Sequence, residues 1–198
     1  MKLSIKWLNE LLPKAASDKK LSDKLTSLGL EVANVYKVKN DTIIDIEITP
    51  NRADCLSVYG IARDLKSIYK CKINKLKIKK NNFLKNSNII KSIDKSICSN
   101  YSYLQIDGIN NKIKTPNIIK ERLLNSGLST INLVVDILNY VMIEHGQPFH
   151  AFDLQKINNK LSIRTSKKGE MIDALNEKKY ILKDNIPVVA DSKTIHAI

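Results

Sequence analysis

Residues 42–48 read TIIDIEI, and the run continues without a break into TPNRADCLS. Alternation with a period of two puts Ile44, Ile46 and Ile48 on one face of an extended strand and Asp45 and Glu47 on the other. Pro50 and Asn51 then close the strand in a polar turn. Beyond them the period changes: Val58, Ile61, Leu65 and Ile68 recur at spacings of three, four and three, the stripe of a helix. A chain that changes period across a single turn needs a sheet and helices in one core. That junction excludes all-helical and all-strand folds.

The flanking segments extend the mixture. Trp7, Leu8, Leu11 and Leu12 form a short apolar stripe stopped at Pro13. Ser17 or Asp18 can cap a second helix carrying Leu21, Leu25 and Leu28, with Gly29 as its stop. Val32 to Val38 reads as a strand. This opening unit is too small to bury both its faces alone, so it is expected to dock on the remainder of the chain. Residues 66–97 are rich in lysine and weakly patterned, and read as a solvated connection rather than a phosphate-contacting patch, given the lysine excess of the whole chain. Within them KLKIK (75–79) can form an edge strand with its lysines towards water.

YSYLQIDGI (101–109) predicts another strand. Thr115 and Pro116 fit the N-cap and first position of a helix that carries Ile119, Leu123 and Leu124 and ends at Gly127. Residues 132–145 hold the most apolar helix, with Leu133, Val134, Ile137, Leu138 and Val141; Gly146 terminates it and Pro148 prevents its resumption. Short strands separated by polar turns occupy the rest of the chain. The elements mix without strict alternation, which predicts an α+β fold. The expected division is a small helical and strand module over residues 1–39, packed on a mixed α+β domain over residues 40–198.

Charge constrains partners less than it first suggests. The net charge is +13, but only four of the 33 basic residues are arginine (Arg52, Arg63, Arg122 and Arg164). Lysine, isoleucine and asparagine crowd the whole chain, the pattern of drift towards A/T-rich codons. A dedicated nucleic-acid reader favours arginine for bidentate contacts. With 43% hydrophobic residues the chain can bury a real core. Cys55, Cys71 and Cys98 are odd in number and far apart, giving neither a disulfide framework nor a zinc site. Glu10 interrupts the first apolar stretch too early for a signal peptide, and no uncharged apolar run spans a bilayer. A soluble, cytoplasmic protein is expected, with no membrane partner.

Chemistry has few places to reside. His145 and His150 are separated by Gly146 and Pro148, so they cannot share a helix face as zinc-binding HExxH pairs do, and His196 is distant; no metal site is expected. No Ser or Cys sits in a nucleophile elbow, and neither Gly-rich phosphate motif occurs. The segment EHGQPFHAFD (144–153) remains. Asn139 lies about two turns before the helix ends, and its amide both donates and accepts. His150 follows the stop, on a loop, where binding and catalytic groups concentrate. Two readings stay open from composition: the pair orients a polar substrate, or both are satisfied structural groups.

Longer stretches carry a resemblance. TPNRADCLSVYGIARDL, followed by INLVVDILNYVMIEHGQPFHAFDL, resembles the two signature segments of the bacterial phenylalanine–tRNA ligase beta-subunit family, in that order. The opening MKLSIKWLNELL and LTSLGLEV are similar to that family's N-terminal module. The resemblance implies one subunit of a two-alpha, two-beta synthetase. The alpha subunits would carry aminoacylation with ATP and magnesium, and neither cofactor would be bound by this stretch. The beta subunit would support assembly, bind tRNA(Phe) and house, in its B3/B4 region, a hydrolytic site that clears mischarged tyrosine. His150 matches the family's editing-site histidine and Asn139 its hydrogen-bonding asparagine. Gly146 and Pro148 would shape the loop, while Asp45, Asn51 and Arg52 would set a turn and domain packing.

Departures from the family qualify that implication. Leu138 stands where threonine is usual, which removes a hydroxyl from the pocket region. Asn117 and Ile118 replace a usual tryptophan after the helix start, and GLSTIN replaces an Arg-Pro form of the turn. Between Lys39 and Asp41 the family inserts an OB-fold domain that this chain lacks. The chain also stops before the family's Gly-rich segment, so the B3/B4-like region is expected to be incomplete and the chain a fragment or a shortened product. A stand-alone aminoacyl-tRNA deacylase and a non-enzymatic basic RNA-binding module are the alternative readings.

Overall fold

The computed structural model describes residues 1–74, 88–110, 112–174 and 178–198. The chain divides into two compact units, Met1–Lys79 with Asn110–Ala151, and Lys80–Ile109 with Phe152–Ile198. Helices and strands mix in the α+β manner expected. The KLKIK segment lies outside the described residues.

In the first unit, strand β1 (Lys2–Ser4) leads into helices α1 (Ile5–Leu11), α2 (Pro13–Ala16) and α3 (Leu21–Ser27). Strands β2 (Glu31–Val38) and β3 (Asp41–Glu47) follow, then a 3-10 turn at Pro50–Cys55 and helix α4 (Val58–Tyr69). The sheet order is β1–β3–β2, antiparallel throughout, so β3 is central. Ile44 and Ile46 are buried as their alternation requires, but Ile43 is fully buried too. A central strand loses solvent on both faces, and the polar side of TIIDIEI is therefore only partly polar. Trp7, Leu8, Leu11, Leu12, Leu25, Ile61 and Leu65 complete the core around Ile44 and Ile46.

Several local expectations hold here. Pro13 opens α2, and Gly29 follows α3 at φ +79°. Ser57, which the sequence reading left unmarked, caps α4, its Oγ accepting from the Gly60 N–H at 2.9 Å. One does not: α3 starts without a side-chain cap. Asp18 instead accepts from Lys24 Nζ at 2.6 Å and Tyr69 Oη at 2.9 Å, tying the start of α3 to the end of α4. The expected module boundary at residues 39 and 40 falls in the turn of the β2–β3 hairpin, where Lys39 adopts φ +51°.

Helices α5 (Asn117–Asn125) and α6 (Leu133–His145) complete the unit. Thr115 is not the N-cap of α5. Pro116 takes that position, and the Thr115 hydroxyl donates instead to Asp136 Oδ2 at 2.5 Å. In α5, Leu123 is buried as expected but Leu124 is exposed, and Arg122 is buried. The departure at α6 is larger. Its buried residues are the two carboxylates, Asp136 and Glu144, while its apolar residues are half-buried or exposed. An apolar helix is expected to bury its apolar stripe, yet within this unit hydrogen-bond donors draw its charged residues inward.

The second unit is built on a four-stranded sheet of order β4 (Ile90–Ile93), β5 (Leu161–Thr165), β8 (Pro187–Ala190) and β9 (Ile195–Ala197). A hairpin of β6 (Met171–Asp173) and β7 (Lys179–Ile181) accompanies it. β4 pairs with β5 in parallel, and the remaining pairs are antiparallel. Ile172, Leu182, Val188, Ala190 and Ile195 form the core. Two expectations fail in this unit. β4 lies inside the stretch expected to be a solvated connection, and residues 101–109 hold no strand, with Leu104 and Ile106 exposed. Period-two patterning alone does not make a strand; a partner edge does, and β5 supplies one to β4.

Candidate functional site

α6 ends as its sequence dictates. Asn132 caps its start, its side chain accepting from Val135 N at 3.1 Å. Gly146 ends it in the left-handed region at φ +79°, its N–H donating to Met142 O at 2.7 Å. A β-carbon at Gly146 would lie 3.3 Å from both Cβ and Oγ of Ser57. The stop of α6 therefore rests against the cap of α4. One residue earlier, the His145 ring lies 5.8 Å from the Tyr59 ring. The two signature segments thus meet: Ser57 and Tyr59 from the first, His145 and Gly146 from the second.

Asn139 is half-buried on α6; Pro148, Phe149 and His150 are exposed on the segment beyond Gly146. All four sequence-selected residues, Asn139, Gly146, Pro148 and His150, belong to the first unit. Two cavities, of about 410 and 260 Å³, are lined by other residues of the second unit, including Lys168 and Asp184 in one and Arg164 and Asp191 in the other.

A buried polar network stands behind the turn. Glu144 Oε1 accepts from Trp7 Nε1 at 3.1 Å and Tyr140 Oη at 3.3 Å. The Trp7 and Tyr140 rings stack with centroids 4.7 Å apart. Arg122 places its guanidinium 4.8 Å from the Trp7 ring, donates to Tyr140 Oη at 2.5 Å and pairs with Glu10. Burial pushes the Tyr140 phenol above its ordinary pKa, keeping its proton available to a carboxylate. Sequence reasoning missed this network. Its one local signal is a glutamate next to the last residue of a mostly apolar helix.

A second cluster sits in the 3-10 turn. Asp54, Cys55 and Asp64 bring potential ligand atoms within 4.8 Å of one another. Arg52 already occupies their centre: Nε reaches Asp54 Oδ1 at 3.1 Å, and Nη2 reaches Cys55 Sγ at 2.9 Å and pairs with Asp64. Arg63 Nη2 holds Asp54 Oδ2 at 2.9 Å. Arg52 holds the Asp54 carboxyl down at about 2, and burial pushes the Cys55 thiol up to about 11. A guanidinium among the carboxylates and a protonated thiol do not suit a metal ion. Arg52 thus links Asp54 and Cys55 of the turn to Asp64 of α4. Asp45 lies in β3 opposite Lys2, and Asn51 is exposed in the turn.

In the second unit Asp191 accepts backbone N–H groups from Asn158, Lys193 and Thr194, each at 2.7 Å, and His196 Nε2 lies 2.9 Å away. Burial opposes the charge there, but these contacts hold the carboxyl below the usual range. The arrangement closes the turn between β8 and β9.

Comparison with known proteins gives this geometry a context. A family model described as the B3/4 domain matches residues 97–198. The phenylalanine–tRNA ligase beta subunit of Neisseria meningitidis serogroup A is 42% identical over 159 residues, 80% of this chain and 20% of that protein. The corresponding subunit of Wolbachia sp. subsp. Brugia malayi is 36% identical over 211 residues, 96% of this chain and 26% of that protein. A crystal structure of an N-terminal fragment of the phenylalanyl-tRNA synthetase beta subunit from Pyrococcus horikoshii matches with a TM-score of 0.47 at 16% identity, over 98% of this chain and 59% of that one. The chain thus spans 20 to 26% of the length of these curated relatives. With more than half of its residues matched by that model, the chain belongs to the B3/4 domain family.

Proposed function

We propose that this chain works as the N-terminal part of a phenylalanine–tRNA ligase beta subunit and contributes to hydrolysis of tyrosyl-tRNA(Phe). The observation that carries the reading is the 42% identity to a beta subunit across 159 residues that include both signature segments. Physical chemistry supplies the need. A pocket shaped for phenylalanine cannot strongly reject a near-isostere bearing one extra hydroxyl, so a second, hydrolytic site restores fidelity.

The reaction is attack of water on the ester that joins tyrosine to the terminal ribose, releasing tyrosine and tRNA. His150 is the residue proposed to orient that water or the ribose, and Asn139 to hydrogen-bond the substrate. Gly146 and Pro148 set the path of the loop between them. Partners are an alpha subunit and tRNA(Phe), in the cytoplasm. ATP and magnesium serve the charging reaction elsewhere in the assembly, and no step of the hydrolysis passes through them. Among the described residues no helix is long and apolar enough to cross a membrane.

The test uses the assembled ligase containing this chain. Tyrosyl-tRNA(Phe) should be hydrolysed well above the buffer rate, and His150→Ala should lower that rate at least tenfold. Hydrolysis no faster than buffer in the wild-type assembly rejects the reading. Full activity from this chain by itself would replace it with a stand-alone deacylase.

A further inference from the structure

We infer that Glu144 is a positioning residue: through it Trp7 of α1 and Tyr140 of α6 hold the end of α6, and hence the turn that carries His150. The inference rests on the proposed hydrolytic reading for its functional consequence, but not for its geometry. α6 buries a carboxylate near each end. Asp136 accepts from Thr115 Oγ1 at 2.5 Å and from Ile131 N at 2.8 Å. Glu144, 7% exposed, accepts from Trp7 Nε1 and Tyr140 Oη. A buried carboxylate is tolerated only where donors meet it, and it then fixes the position of the backbone that bears it.

That backbone lies two residues before Gly146. The glycine has no side chain with which to resist displacement, and it lies close enough to the Ser57 cap that a β-carbon there would stand 3.3 Å from Ser57. The turn is thus seated between two supports, one at Ser57 and one at Glu144. Glu144 Oε2 also faces His145 Nε2 at 3.3 Å, so the contact reaches the last residue of the helix. Arg122, over the Trp7 ring and bonded to Tyr140 Oη, contacts both donors. The N-terminal helix α1, distant in sequence from the loop, is in this arrangement part of the loop's scaffold.

The experiment compares wild-type, Glu144→Ala, Glu144→Gln and Trp7→Phe forms of the assembled ligase. Amide hydrogen exchange of residues 146–151 and the kinetics of tyrosyl-tRNA(Phe) hydrolysis are read together. Glu144→Ala should speed exchange in residues 146–151 at least tenfold and lower kcat at least tenfold, with KM within twofold. Glu144→Gln keeps an oxygen for both donors, and both readouts should stay within threefold of wild type. Trp7→Phe keeps the stacked ring but loses the donor, and should fall between. If Glu144→Ala does not fold, Trp7→Phe decides by the same two measurements. Exchange in residues 146–151 that is unaltered in Glu144→Ala, or in Trp7→Phe, overturns the inference. So does a Glu144→Gln as impaired as Glu144→Ala. A wild-type assembly that hydrolyses nothing rejects the proposed function, and the exchange data still decide whether Glu144 positions the turn.

Discussion

Replacing Gly60 by alanine sets two well-understood effects against each other. Gly60 lies in the first turn of α4, where intrinsic propensity favours alanine over glycine by up to about 1 kcal/mol. The surroundings oppose the change. A β-carbon there would stand 1.8 Å from the backbone oxygen of Asp54 and 2.9 Å from Ser57 Oγ. Ordinary non-bonded approach is about 3.5 Å, so the carbonyl of the 3-10 turn would have to retreat by more than about 1 Å. Overpacking against side chains costs about 1–3 kcal/mol, and backbone yields less readily than side chains, so about 3 kcal/mol is the reasonable steric cost. The net is a loss of about 2 kcal/mol. Trp7, the one tryptophan of the chain and a core residue of the same unit, reports unfolding by fluorescence. With a urea dependence of about 2 kcal/mol per M, the midpoint should fall by about 1 M. A midpoint at or above the wild-type value would mean that propensity wins and that the close approach of Gly60 to Asp54 is not a feature of the folded protein.

Two further substitutions test other parts of the fold. Gly146→Ala puts a side chain into the left-handed region, costing about 1–2 kcal/mol, and brings its β-carbon 3.3 Å from Ser57; a thermal scan should show a lower melting temperature, and an unchanged one would contradict that seating. In the second unit Arg164 grips Glu170 through two bonds of 2.8 and 2.7 Å, which with the Lys167 N–H holds the Glu170 carboxyl down at about 2. A depressed carboxyl stabilises the fold above its unfolded value near 4.5 and loses that contribution as pH falls towards 2. The difference in urea midpoint between wild type and Arg164→Met should therefore shrink as pH falls from 5 to 2, and a constant difference would contradict the assignment.

What was legible in the sequence was local. The period of TIIDIEI, the stripe of α4 and the stops at Pro13, Gly29 and Gly146 each depend on residues within one turn of one another. What was not legible depended on a partner far along the chain. β4 carries little pattern of its own and becomes a strand by pairing with β5; YSYLQIDGI has the pattern, but its described residues form no strand. Thr115 has the chemistry of a cap, and Asp136 takes its hydroxyl instead. The turn between β2 and β3 shows the same division. The point between Lys39 and Asp41, where the resemblance implies an inserted domain, is a hairpin tip in the structure, a place where added chain displaces no core residue.

The candidate site divides along the same line. Gly146, Pro148 and His150 could be selected because a helix stop followed by an exposed histidine is a local pattern. Ser57, Trp7 and Arg122 could not, because nothing near each of them in sequence announces a contact with α6. The reading of α6 inverted for a related reason. Apolar periodicity identifies which residues can be buried, whereas burial of Asp136 and Glu144 was decided by donors on α1, on α6 itself and beside α5. A carboxylate near the end of an apolar helix is thus a stronger pointer than the apolar stripe around it. Hydrophobic burial is non-directional and constrains such a helix only loosely, whereas a buried carboxylate needs donors in set directions and so fixes the helix at that point.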